Sequence, residues 1–200
     1  MKTAKFYAVT ILAALAMVFV SCSKDEIDSN PYAVSNGNAK DLSNFEKQGL
    51  VSLLETQKMH RDVYTWINDQ FPSAVFTSLA ESDGKYMELL SVKLDKYGIQ
   101  NPTLDKLPGE FESHEVQNQY NEFVRLSFGD LEAMIENARV MEESMISLVR
   151  DQQLNLSGND DLRQIYGDLI QESISQLNTL NDNMKGLIHI YAPKDEIREQ

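Results

Sequence analysis

Four stretches of helical spacing each carry a polar side chain where the apolar period turns inward: Gln57, Asp83, Glu142 and Gln176. A buried polar group costs several kcal/mol in desolvation unless it finds a partner, so four in comparable positions predict one shared internal cluster. Asp83 and Glu142 are its acids, and burial raises a carboxyl pKa enough to keep either one neutral. Gln57 and Gln176 are amides, which donate and accept. Met134, Met141 and Met145 also repeat at helical spacing. Such methionines can be soft copper donors, but core filling is their commoner use. The chain has no Ser-His-Asp set, Gly-rich phosphate loop or Cys-x-x-Cys pair, so nucleophilic catalysis, nucleotide binding and dithiol chemistry have no motif to rest on.

The elements that must position this cluster are helices, because apolar residues keep helical spacing from Ser43 onward and no run alternates as a strand would. Ser43 and Glu46 form a capping box, and the first helix shows Leu50, Leu53, Leu54, Gln57, Arg61, Tyr64 and Ile67 on one face before stopping near Phe71 and Pro72. A second helix follows Ser73, displays Phe76, Leu79, Asp83, Met87, Leu90 and Leu94, and closes at Gly98. Pro102, Pro108 and Gly109 make the stretch 101–112 a crossover loop. A shorter helix with Val116, Tyr120, Phe123 and Val124 buried comes next, then a long one from about Asp130 in which Glu142 joins an apolar stripe. After Ser157, Gly158 and Asn159 break the chain, the last long helix carries Leu162, Ile165, Tyr166, Leu169, Ser173, Gln176 and Leu180 inward. Trp66 stands beside the first helix's stripe, where partial burial against a neighbour is expected. One all-α domain follows, a bundle of four long helices whose long crossover holds the shorter extra helix.

From about Leu50 to Leu180 the chain resembles a bacterial ferritin-like family of unknown function. The similarity is strongest over 53–64, where Glu55, Lys58, Arg61, Asp62, Val63 and Tyr64 follow the family's acidic run, Lys, Arg, Asp, Val and Tyr. Ser82-Asp83-Gly84-Lys85-Tyr86-Met87 stands where that family has Ser-Glu-x-x-His-Met, and Met141-Glu142-Glu143 where it has an apolar residue and paired glutamates. Ser173-Ile174-Ser175-Gln176-Leu177 falls where relatives place a histidine before leucine. The resemblance implies a ferritin-like four-helix bundle whose centre would bind two iron or manganese ions through carboxylates and histidines. Carried over by position, Glu142 matches, Asp83 is a shortened carboxylate, and Gln57, Tyr86 and Gln176 lack the charge or the imidazole. Asp83 and Glu142 alone cannot neutralise two divalent ions. A shift of one position in the first helix would make Glu55 the ligand instead, and Glu143 and Glu172 are further acids within reach of a residual site. His60 reads as off the stripe, His114 as a helix start and His189 as near the tail. The expectation is a former metal site at Gln57, Asp83, Tyr86, Glu142 and Gln176, now a hydrogen-bonded cluster with no cofactor. A residual iron or manganese site on Asp83 and Glu142 is the alternative.

Lys2 and Lys5, an apolar run over 6–20 and small Ser21 before Cys22, the chain's one cysteine, have the layout of a secretory leader. Phe19-Val20-Ser21-Cys22 resembles a lipobox, in which the thiol takes a diacylglyceryl group and the freed amino terminus is acylated, giving a firm membrane anchor. Ser23, Lys24, Asp25 and Glu26 resemble the acidic export signal of surface lipoproteins in Bacteroidota-type bacteria. The expected layout is a signal peptide over 1–21, lipidated Cys22 and a tether over 22–41, the bundle over 42–187, and a tail over 188–200. With Cys22 lipidated no disulfide is available. The formal net charge is −13, and −15 without the two leader lysines, a surface that repels nucleic acid. The expectation from these features is a protein on the outer membrane or cell surface, held to the membrane by Cys22, acting as a non-enzymatic module for an unknown protein or glycan partner.

Overall fold

The computed structural model describes residues 42–156 and 158–191. Cys22, with the leader and tether read from the sequence, lies outside them, as does 192–200. The described residues form five helices and no strand. Helix α1 is Asn44–Gln70, α2 is Ala74–Lys96, α3 is His114–Ser127, α4 is Leu131–Leu154 and α5 is Asp160–Tyr191.

The ends are set by local chemistry. Ser43 Oγ accepts from Glu46 N–H while the Glu46 carboxylate accepts from Ser43 N–H at 2.8 Å, so the capping box that opens α1 is complete. Ser73, Ser113 and Asp130 cap α2, α3 and α4 through their side-chain oxygens. Gly98 takes a φ of 63° past the end of α2, and Ile99 N–H returns to Leu94 O at 2.9 Å. Helix α5 runs to Tyr191, into the stretch the sequence reading gives to the tail, with Ile188 and Tyr191 packed on the core.

Two apolar clusters stack along the bundle axis and reveal the topology. The upper one joins the end of α1 (Val63, Ile67) to the start of α2 (Phe76, Leu79), the start of α4 (Leu131, Met134, Ile135) and the end of α5 (Leu180, Leu187). The lower one joins the start of α1 (Leu50, Leu53, Leu54) to the end of α2 (Leu90, Leu94), the end of α4 (Met145, Val149) and the start of α5 (Leu162, Ile165, Leu169). Helices α1 and α5 therefore run upward and α2 and α4 downward. The chain makes two antiparallel hairpins, α1/α2 and α4/α5, and the crossover with α3 carries it from the foot of the first to the head of the second. Fully buried Leu50, Leu53, Phe76 and Ile135 each contribute about 1.5–3 kcal/mol by leaving water. Met134, Met141 and Met145 are buried in these clusters as core residues, and Trp66 is half-buried, edge-to-face with Phe123 of α3 at 6.1 Å.

The crossover hangs on charged side chains of α1. Lys58 Nζ, 1% exposed, pairs with Asp62 Oδ2 at 2.5 Å, donates to Leu107 O at 2.8 Å, and sits 4.5 Å from the centre of the Phe111 ring. Asp62 Oδ2 also accepts from Gly109 N–H at 2.9 Å, and its other oxygen takes two hydrogen bonds from Arg61. Glu55 Oε1 accepts from Glu112 and Ser113 N–H at 2.8 and 2.9 Å, at the head of α3. The run Glu55, Lys58, Arg61, Asp62 that carries the strongest family resemblance is thus a clamp on the crossover backbone.

Candidate functional site

Between the two apolar clusters lies a layer of buried polar side chains drawn from all four long helices. It contains Gln57, His60 and Tyr64 of α1, Asp83 of α2, Glu142 of α4, and Glu172, Ser173 and Gln176 of α5. Three of the predicted positions are tied in by hydrogen bonds. Glu142 Oε1 accepts from Tyr64 OH at 2.7 Å and faces His60 Nδ1 at 3.1 Å. Gln176 Nε2 donates to Asp83 Oδ1 at 2.7 Å and also to Glu172 Oε1, which accepts from Ser82 Oγ as well. Gln57, also predicted, is 1% exposed, and neither its amide oxygen nor its nitrogen has a protein partner.

The structure corrects the sequence reading at four places. His60, expected off the stripe, is 1% exposed and turned to Glu142. Helix α1 is covered by α2, by α4 and by the crossover with α3, so every residue from Leu53 to His60 is buried and the idea of a single inward stripe fails there. Tyr86, expected at a former ligand position, stands half-buried on the flank of α2, where its hydroxyl meets only the Asp168 carbonyl at 3.5 Å. Glu55 is committed to the crossover backbone, and Glu143 is exposed. Glu172, a secondary candidate, is a full member of the layer. The signal for it was available, since Glu172 precedes Gln176 by one helical turn. His114 and His189 are exposed.

Burial dominates the electrostatics. It holds the Asp83 carboxyl well above the usual carboxylate range, with the charges of Glu142 and Glu172 pushing the same way and Gln176 and Arg61 opposing. Glu172 is raised by burial too, against the hydrogen bonds from Ser82 and Gln176. Burial, then the nearby acids, lifts the Tyr64 phenol well above its ordinary value, so it remains a donor. Asp83 Oδ2, Glu172 Oε2 and Gln176 Oε1 are among the oxygens that lack a protein partner.

A two-metal centre does not fit this donor set. The amides Gln57 and Gln176 stand where carboxylate or imidazole would be needed, and one oxygen each of Glu142, Asp83 and Glu172 already accepts from the chain's own phenol, amide or hydroxyl. Among the described residues, no three histidine, cysteine, aspartate or glutamate side chains are grouped so as to hold an ion. Nor is any described helix long and apolar enough to cross a membrane.

These features define an all-α four-helix bundle with one long crossover and a polar middle layer. The chain belongs to the uncharacterized protein domain family DUF2202, which matches it over residues 46–199. It is similar to an uncharacterized protein of Methanocaldococcus jannaschii, MJ0754, at 24% identity over 163 residues, covering 79% of this chain and 87% of the relative. The crystal structure of that organism's hypothetical protein MJ0754 superposes with a TM-score of 0.70 at 22% identity, covering 82% of this chain and 96% of the other, and so shares the fold.

Proposed function

We propose that this protein is a lipid-anchored envelope protein whose ferritin-like bundle serves as a non-enzymatic binding or interaction module, its metal site degenerate. The single crossover between two antiparallel hairpins supports the ferritin-like reading. The observation that carries the reading is the middle layer itself, where Tyr64, Gln176 and Ser82 donate to the carboxylates that ions would need. Attachment through lipidated Cys22 puts the bundle on the outer membrane or cell surface, facing a protein or glycan partner. Mass spectrometry of the amino-terminal peptide tests the anchor, with a triacylated Cys22 expected and an unmodified thiol the outcome that removes it.

The metal reading is tested on the mature protein purified without chelator, then offered ferrous iron and manganese in separate samples. Well under one ion per chain is the expected result of elemental analysis. Near-stoichiometric, tightly held metal would overturn it and favour the second reading, an iron or manganese protein of ferroxidase type. One observation favours that alternative. His60 adds an imidazole and Glu172 a third carboxylate to Asp83 and Glu142, and Asp83 Oδ2 and Glu172 Oε2 have no protein donor.

A further inference from the structure

We infer that the middle layer is a hydrogen-bonded lock between the two helical hairpins, occupying the place that a di-metal centre would hold in a ferritin-like bundle. This rests on the degenerate-site reading above. Above and below the layer, apolar packing without direction joins all four long helices. In the layer itself the joints between hairpins are directional hydrogen bonds. From α1 to α4, Tyr64 OH and His60 Nδ1 meet Glu142 Oε1 at 2.7 and 3.1 Å. Between α5 and α2, Gln176 Nε2 reaches Asp83 Oδ1 at 2.7 Å and Ser82 Oγ reaches Glu172. Each acid therefore binds a donor from the opposite hairpin. Gln176 is the pivot, because one amide nitrogen spends its two hydrogens on Asp83 and Glu172, holding its own helix and its neighbour at once. An ion taking these same oxygens would displace the buried Tyr64 phenol and Gln176 amide, leaving them without acceptors, and the half-buried Ser82 hydroxyl as well. The lock and a di-metal centre thus compete for the same three carboxylates, one oxygen of each being committed to the lock.

The test is native-state hydrogen exchange on the mature protein, with Gln176→Leu compared with the wild type, each with and without chelator. In the variant, amides of α2 around Asp83 and of α5 around Gln176 are expected to exchange about tenfold faster, while those at the bundle ends change less. Chelator is expected to change neither protein. Unaltered exchange around Asp83 in the variant would overturn the lock, and so would loss of wild-type protection on chelation, which would mean that an ion joins the hairpins. If Gln176→Leu does not fold, Ser82→Ala removes the other α2–α5 bond and is read the same way. The two readings fail separately. Retained metal with exchange indifferent to chelator would remove the degenerate-site reading and keep the lock. Metal-free protein whose Gln176→Leu variant exchanges normally would do the reverse.

Discussion

Replacing Asp62 with alanine is expected to destabilise the bundle by about 3–5 kcal/mol, the cost of breaking a buried ion pair by removing one partner. The magnitude follows from what is left behind. Lys58 Nζ would keep only the Leu107 carbonyl and the face of Phe111 at a site 1% exposed, and Gly109 N–H would lose its acceptor. Lys58→Met should cost less, about 1–2 kcal/mol, because Asp62 would still accept from Arg61 and from Gly109 and so would not be stranded. Urea unfolding of the two variants measures this directly. The ordering is the sharp part, since a loss for Lys58→Met that equals or exceeds that for Asp62→Ala would show that the lysine, not the aspartate, organises the crossover.

That clamp also shows what sequence reasoning could and could not see. Helices were legible because their ends use local chemistry: Ser43 with Glu46, Ser73 and Gly98 each act within a few residues of themselves. Inward placement of Asp83, Glu142 and Gln176 was legible for the same reason, since a helix with one covered face writes its period into the chain. Helix α1 breaks that condition. With neighbours on several sides it buries Glu55, Lys58, His60 and Asp62, residues that a one-face period places outside. Apart from the local pairing of Asp62 with Lys58 and Arg61, their partners lie 47 to 82 positions away, in the crossover and in α4, and no local pattern encodes such a separation. Hence His60 was missed as a member of the layer, and the acidic and basic run of α1 looked like ligands and charges when it is a loop clamp. Tyr86 failed the other way, because a step of three residues from Asp83 lands on the flank of α2 and not in the core.

Glu142 separates the two uses of the layer by the chemistry of its substitutes. Leucine in its place is expected to cost about 2–5 kcal/mol, because Tyr64 OH, fully buried and kept protonated by that burial, and the His60 ring would both lose their shared acceptor. Glutamine is the milder change. Its carbonyl oxygen can still accept from Tyr64, and removing the charge relieves the repulsion that Glu142 exerts on Asp83 and Glu172. Glu142→Gln is therefore expected to stay within about 1 kcal/mol of the wild type in thermal unfolding, with Glu142→Leu far below both. An ion-binding carboxylate predicts a different pattern, since an amide is a poor substitute for a charged ligand and both variants would lose the stability that metal supplies. Equal, large losses that disappear when the proteins are compared in chelator would thus assign Glu142 to an ion. A loss confined to leucine, and unchanged by chelator, assigns it to the hydroxyl of Tyr64.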